Sequence, residues 1–336
     1  MYKSIAISTM LLTATVTALP VRANVVETVR SAQDNAPRLQ ALSINANGDI
    51  WVSGVLGKVL VSRDDGQSWQ TKSIAGSEQL QFRDIWARES TIYLLAAGEG
   101  SNSRIYQSVD DGATWQLQYT MENPKGFINC FDFWDQQHGL VIGDSIDNKV
   151  FILQTNNGGK DWTRLNSAPE VNRGGEGAFS ASGSCLRTLN NDQAWLSTGA
   201  TEQPRLLRTS DRGATWATTP LPFPNTNTGG IFTSLPQNNL VFGGQMKPAK
   251  AVGYYRDNQH WRAINNIPLT GAIYGSASIG EQVIIVNPDG AALSKDGGKT
   301  WKRISNDAYW VVEIKDNGDA WLAGPAGRIS RLRLMP

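Results

Sequence analysis

One eight-residue pattern, Ser/Thr-x-Asp-x-Gly-x-x-Trp, recurs along this chain and limits what it can fold into. Four copies occupy residues 62–69, 108–115, 209–216 and 294–301, and a fifth at 155–162 has Asn for Asp. Their defining residues are Asp64, Gly66 and Trp69; Asp110, Gly112 and Trp115; Asn157, Gly159 and Trp162; Asp211, Gly213 and Trp216; and Asp296, Gly298 and Trp301. A degenerate copy at 255–261 keeps Asp257 and Trp261 but has lost its glycine. Each copy lies between two apolar runs, as expected of a hairpin. The carboxylate can accept backbone N–H bonds and fix the turn. The glycine supplies a positive φ, and the tryptophan packs its ring against the sheet. These acidic residues are therefore expected to be structural.

A second repeat precedes the first by roughly 10 to 15 residues, as strand spacing in a repeated β-unit requires. It is a short β-rich run, usually closed by a small residue, and its markers are Trp51, Tyr93, Leu140, Trp195, Leu240, Ile284 and Trp321. Successive markers are 42, 47, 55, 45, 44 and 37 residues apart. A period near this length, with four short strands in each, predicts an all-β propeller. Dense glycine and β-branched residues, without a long apolar 3.6-residue period, argue against helical repeats. The expected fold is a seven-bladed β-propeller. Its last blade runs out of chain before an outer strand, and the apolar segment at 24–30 would supply it and close the ring. Closure would remove open sheet edges. A six-bladed ring with an appended segment is the alternative.

Composition and the N-terminus set the compartment. Residues 1–23 read as a signal peptide: Lys3, an apolar stretch, then Val21-Arg22-Ala23 as a small-x-small cleavage site; an uncleaved membrane anchor is the alternative, against which the stretch is short and Arg22 interrupts it. The mature domain would span 24–336, exported and periplasmic or secreted, without a further membrane segment. In an oxidising compartment the two cysteines, Cys130 and Cys185, could form a disulfide; two buried thiols is the other reading. With 31 Lys+Arg against 30 Asp+Glu, the chain has no global field for nucleic acid. Its 2 His and 2 Cys cannot build a zinc ribbon or iron–sulfur site, and neither histidine has metal-ligand spacing. No nucleophile elbow or dinucleotide fingerprint is present. No cofactor and no metal are expected.

Seven inner strands should line the channel, near 39–44, 81–86, 127–133, 184–189, 231–234, 272–277 and 309–314. Cys130 and Cys185 then fall in or beside neighbouring inner strands. The longest irregular connection, 166–184, leads into the fourth, and long insertions in compact repeats are often functional. Channel-mouth candidates for ligand binding are Arg83, Asp84, Asn129, Asp132, Arg173, Glu176, Arg187 and Tyr274. They would offer a polar mouth to a small ligand, a glycan or a peptide. Channel-wall residues solvated by trapped water are the bland reading of each. No residue is assigned a catalytic role.

The turn pattern resembles the Asp-box, or BNR repeat, found in sialidases, sortilin-type receptors and the photosystem II assembly and stability factor family. The last is the better match, through Ile128-Asn-Cys-Phe-Asp-Phe-Trp-Asp135, Gly139-Leu-Val-Ile-Gly143-Asp and the box at 155–162. The resemblance covers nearly all of the mature chain. It implies a non-catalytic binding scaffold or assembly factor for a membrane or envelope protein complex. The photosystem itself does not carry over, because nothing in the sequence marks a photosynthetic host. The alternative is a sialidase-like or other glycoside hydrolase acting at the channel mouth. Phe82-Arg83-Asp84-Ile85 only partly resembles the sialidase arginine motif: it lacks the proline and follows the first box.

Overall fold

The structure, a computed structural model, describes residues 25–171 and 175–334. The signal-peptide reading of 1–23 and the candidate Arg173 lie outside the described residues. The chain forms seven four-stranded antiparallel sheets arranged as a propeller. Inner strands are Leu39–Ile44, Phe82–Arg88, Ile128–Phe133, Leu186–Leu189, Gly229–Leu235, Gly275–Ile279 and Val311–Ile314, for blades 1 to 7 in chain order. The closing sheet runs Val26–Arg30, Ile329–Arg333, Asp319–Ala323, Val311–Ile314 from rim to axis. Val26 registers with Leu332 and Thr28 with Ser330, so the N-terminal strand completes blade 7. The degenerate box makes a tight hairpin between Lys250–Asp257 and His260–Ala263, with Asn258 at positive φ.

Each box is a closed hydrogen-bond unit. In blade 2 the Ser108 hydroxyl donates to Asp110 at 2.7 Å and accepts the Gly112 N–H at 2.8 Å. Asp110 then accepts both the Thr114 N–H at 2.8 Å and its hydroxyl at 2.6 Å. Asp211 with Thr215 and Asp296 with Thr300 repeat this geometry. The eight-residue signature omits this last donor, a Ser or Thr four residues after the Asp. In blade 3 the partner is Asp161, and Asn157 suits it by donating from its carboxamide at 2.7 Å.

The box glycine does more than turn the chain. A Cβ on Gly66 would come within 2.7 Å of the Trp321 ring, and one on Gly112 within 3.0 Å of the Trp51 ring. Gly159 sits equally close to Tyr93. Each of these boxes thus rests on the second-strand marker of the preceding blade. Trp51 and Trp321 are fully buried there. The apolar core is correspondingly inter-blade: Leu39, Val52 and Leu60 of blade 1 pack with Trp321, Ala323 and Ile329 of blade 7. Near the axis, side chains of one blade cap backbone N–H groups of the next. Ser43 accepts from Ala87 at 3.0 Å, Asp84 from Phe131 at 2.9 Å, and Asp132 from Thr188 at 2.7 Å.

Two outcomes follow. Removing Val26–Arg30 should expose the edge of Ile329–Arg333, lower the thermal midpoint and produce concentration-dependent light scattering; a truncated chain that melts like the intact one would contradict ring closure as a source of stability. The Thr114 and Ser108 hydrogen bonds hold the Asp110 carboxyl down at about 2. A depressed carboxylate stabilises the fold above its unfolded value of about 3.9, and that contribution is lost as pH falls through the folded value. Asp110→Asn should therefore shrink the stability lost between about pH 5 and about pH 2.5 in urea unfolding.

Candidate functional site

A strap divides the channel. Residues 175–184, the last part of the long connection into blade 4, cross the axis instead of lying on the rim. Gly177 bridges Gly199 of blade 4 backbone to backbone, and Gly199 in turn bridges Gly230 of blade 5, on whose Phe232 the strap's Phe179 stacks. A Cβ on Gly230 would lie 2.5 Å from the Gly199 backbone, so this approach requires glycine. Farther along, Arg83 donates to the Ser180 hydroxyl at 3.0 Å, and Ser182 donates to the Tyr274 carbonyl at 2.7 Å. Gly183, at φ +74°, fits against the Asp84 carboxylate where a Cβ would approach to 2.2 Å. The strap ends at Cys185, which is disulfide-bonded to Cys130 of blade 3 with the α-carbons 6.0 Å apart.

Above the strap lies a cavity of about 370 Å³, at the ends where the inner strands begin. It is lined by Arg38, Arg83, Asn129, Asp144, Tyr274 and Trp310, with Phe179 of the strap and Phe232. Phe179 stacks on Phe232 at 4.0 Å, Phe232 lies parallel to Tyr274 at 5.7 Å, and Trp310 meets Tyr274 edge-on. The Arg38 guanidinium sits over the Trp310 ring, 5.3 Å from its centroid. Arg83 is held by Gln81 at 2.7 Å. Neither arginine has an acidic partner among the described residues. Burial, and for Arg83 the neighbouring Arg38, push both guanidiniums down. Asp144 is the one carboxyl lining this cavity. It accepts from Asn129 at 2.8 Å, and burial pushes it up.

Below the strap is a second cavity of about 230 Å³, lined by Ser43, Asp84, Asp132, Ser182, Arg187 and Glu313 among others. Arg187 pairs with Glu313 at 2.9 Å. Burial pulls its guanidinium down, but Glu313, Asp132 and Asp84 together push it up. Burial raises Asp84 well above the ordinary carboxyl range and raises Asp132 as well.

The sequence candidates are therefore split. Arg83, Asn129 and Tyr274 meet in the upper cavity. Asp84, Asp132 and Arg187 do not reach that mouth: they line the lower cavity, and both carboxylates are occupied by N–H groups of the next blade. Glu176 faces neither cavity. Its buried carboxylate is bound by Arg205, at 2.9 Å to Nε and 2.7 Å to Nη2, because the loop folds inward around that pair. On the closing blade, Arg331 and Arg333 share Asp319, and Arg328 binds Asp307. Arg38, Phe179, Phe232 and Trp310 were not singled out by sequence. A positional signal existed, since Arg38, Tyr274 and Trp310 each immediately precede an inner strand. Among the described residues no group of three or more side chains could hold a metal ion, and no helix is long and apolar enough to cross a membrane.

Fold and site together define a closed Asp-box propeller whose channel is blocked by a strap beneath a cationic, aromatic mouth. Residues 32–146 match the family model of the photosynthesis system II assembly factor YCF48, and the chain is a seven-bladed propeller similar to that family. No curated protein matches it. Among solved structures, YCF48 from Cyanidioschyzon merolae aligns at 13% identity over 92% of this chain and 98% of that one, with a TM-score of 0.67. A YCF48 bound to D1 peptide aligns at 14% over 95% and 99%, with a TM-score of 0.64. The GH74 xyloglucanase from Xanthomonas campestris aligns at 15% over 92% and 54%, with a TM-score of 0.62. At these identities the structural likeness is one of fold.

The disulfide ties the strap to blade 3 across a separation of 55 residues. Replacing both cysteines with serine should cost about 2–4 kcal/mol of stability by denaturant unfolding. Equal stability of the two proteins would show that the strap is held without it.

Proposed function

We propose that this chain is an exported, non-catalytic scaffold that holds a segment of a partner polypeptide at the upper mouth and so assists a membrane or envelope protein complex. The observation that carries this reading is the pair Arg38 and Arg83, two guanidiniums without acidic partners beside an aromatic row. Guanidinium groups left without a carboxylate in a partly enclosed site favour an anionic group from outside. The aromatic edges add apolar contact for the residues flanking it. The similar YCF48 structure holding a peptide supports a polypeptide partner. The domain would be 24–336 after removal of the signal peptide 1–23, and the compartment periplasmic or extracellular.

A second reading, a glycoside hydrolase, draws on the raised carboxyls Asp84 and Asp132 beside Arg187. Glycosidases of the usual kind need two carboxyl groups free to flank one bond. Here both accept hydrogen bonds from the next blade, and the upper mouth contributes Asp144 alone. That distribution favours binding over hydrolysis.

A photo-crosslinker at Met246, on the rim of the upper cavity, should capture a reproducible polypeptide in the native envelope. Arg38→Glu with Arg83→Glu should reduce that capture at least about tenfold, the effect of losing one or two charged hydrogen bonds. Undiminished capture by the double variant would remove the mouth from the interaction. Turnover of fluorogenic glycosides that disappears in Asp144→Asn would replace the scaffold reading with an enzymatic one.

A further inference from the structure

At three junctions between blades the residue before the box glycine is charged and bridges to the preceding blade. Asp65 pairs with Lys315 at 2.6 Å, Asp111 with Arg63 at 3.5 Å, and Arg212 with Asp135 at 3.6 Å. The junction of blades 2 and 3 lacks this bridge. The position there is Gly158, at φ +70°. Its carbonyl accepts instead from the Tyr93 hydroxyl at 2.7 Å and the Gln107 carboxamide at 3.2 Å. Gln118 donates to Gln107 at 2.8 Å, extending an uncharged network outward. Blade 6 also has a glycine at this position, Gly297. But the blade 5 residues registered like Tyr93, Gln107 and Gln116 are Leu240, Tyr255 and Arg262, so no amide network forms.

With no side chain filling the 2–3 junction, a groove of about 610 Å³ remains on the flank of the propeller. Its polar lining is dominated by carboxamides: Gln107, Gln116, Gln118, Gln136, Gln137 and Asn157. Lys160 is the one formal charge among its lining residues; Gln136 and Asn157 are already engaged, donating to Glu89 and Asp161, which do not line the groove. Gln116 and Gln137 are exposed, and their carboxamides make no hydrogen bond to other described residues. Val109, 62% exposed, adds an apolar surface at the edge.

A carboxamide offers donors and acceptors together without charge. An ionic ligand would find almost no countercharge here. An extended peptide would be recognised chiefly through a strand edge and its backbone, whereas the free groups in this groove are side-chain amides. A ligand dense in hydroxyls, each both donor and acceptor, matches that lining. We propose that this groove is a non-catalytic binding site for a neutral oligosaccharide, separate from the mouth and independent of the function assigned to it.

The test is titration of the mature protein with cellohexaose, maltohexaose and fully N-acetylated chitohexaose, followed by backbone amide NMR. At least one should shift amides of Thr91, Gln107, Gln116 and Gln137 at millimolar concentration or below. Gln116→Ala with Gln137→Ala should weaken binding about tenfold, as expected for two lost hydrogen bonds, while the thermal midpoint stays unchanged because both side chains are exposed. Arg83→Ala, at the mouth, should leave binding intact. Absence of shifts with all three sugars overturns the proposal. So does binding indifferent to the double variant, or a neutral polyglutamine or polyserine peptide that fills the groove where the sugars do not.

Discussion

The contact on which the ring depends is the seat of a box glycine against the second-strand side chain of the blade before it. A Cβ on Gly66 would collide with Trp321, and one on Gly112 or Gly159 would press Trp51 or Tyr93 more tightly than ordinary contact. One residue type therefore serves two demands at once. The turn needs a left-handed backbone, and the neighbouring ring needs a flat surface without a side chain. The Asp–Ser/Thr hydrogen bonds keep that turn rigid, so the seat has a fixed shape. Blade orientation is set from outside by these seats and from the axis by Ser43, Asp84 and Asp132.

The strap converts a ring into a vessel with two unlike compartments. The upper compartment is lined by Arg38, Arg83 and aromatic groups, of which the strap supplies Phe179. The lower compartment holds Arg187 surrounded by carboxyls. The strap is fixed at many points: the Gly177–Gly199 bridge to blade 4, Phe179 on Phe232 of blade 5, the Glu176–Arg205 pair, Arg83 on Ser180, Ser182 on Tyr274, and the disulfide. This density of anchors explains why several polar residues that look available in the sequence are engaged in the structure. A buried carboxylate without partners is costly, and Glu176 is buried because Arg205 compensates it.

How much was legible in the sequence differs by scale. Turn positions, blade number and closure by the N-terminal strand could be read, because each depends on residues a few positions apart or on a regular count. The candidate site could be read only in part. Arg83, Asn129 and Tyr274 sit on or beside inner strands, so periodicity brought them to the axis. Periodicity cannot say at which height along the axis a side chain lies, and height separates Arg83 from Asp84, its neighbour on the strand. Nor could it say that residues 175–184 cross the channel, since that path is irregular and is fixed by glycine approaches between elements far apart. Glu176 was misplaced for this reason.

Blade 7 is built from the two ends of the domain, with Arg30 donating to the Gly327 carbonyl across 297 residues of sequence. Val26–Arg30 therefore has no strand partner until Ile329–Arg333 is in place. Six blades are each built from consecutive strands, whereas the seventh needs strands from both ends of the domain. Without Ile329–Arg333, both Val26–Arg30 and Asp319–Ala323 lose the strand between them, leaving two unmatched sheet edges at one gap. Ring closure thus ties the stability of the first described strand to the presence of the last one.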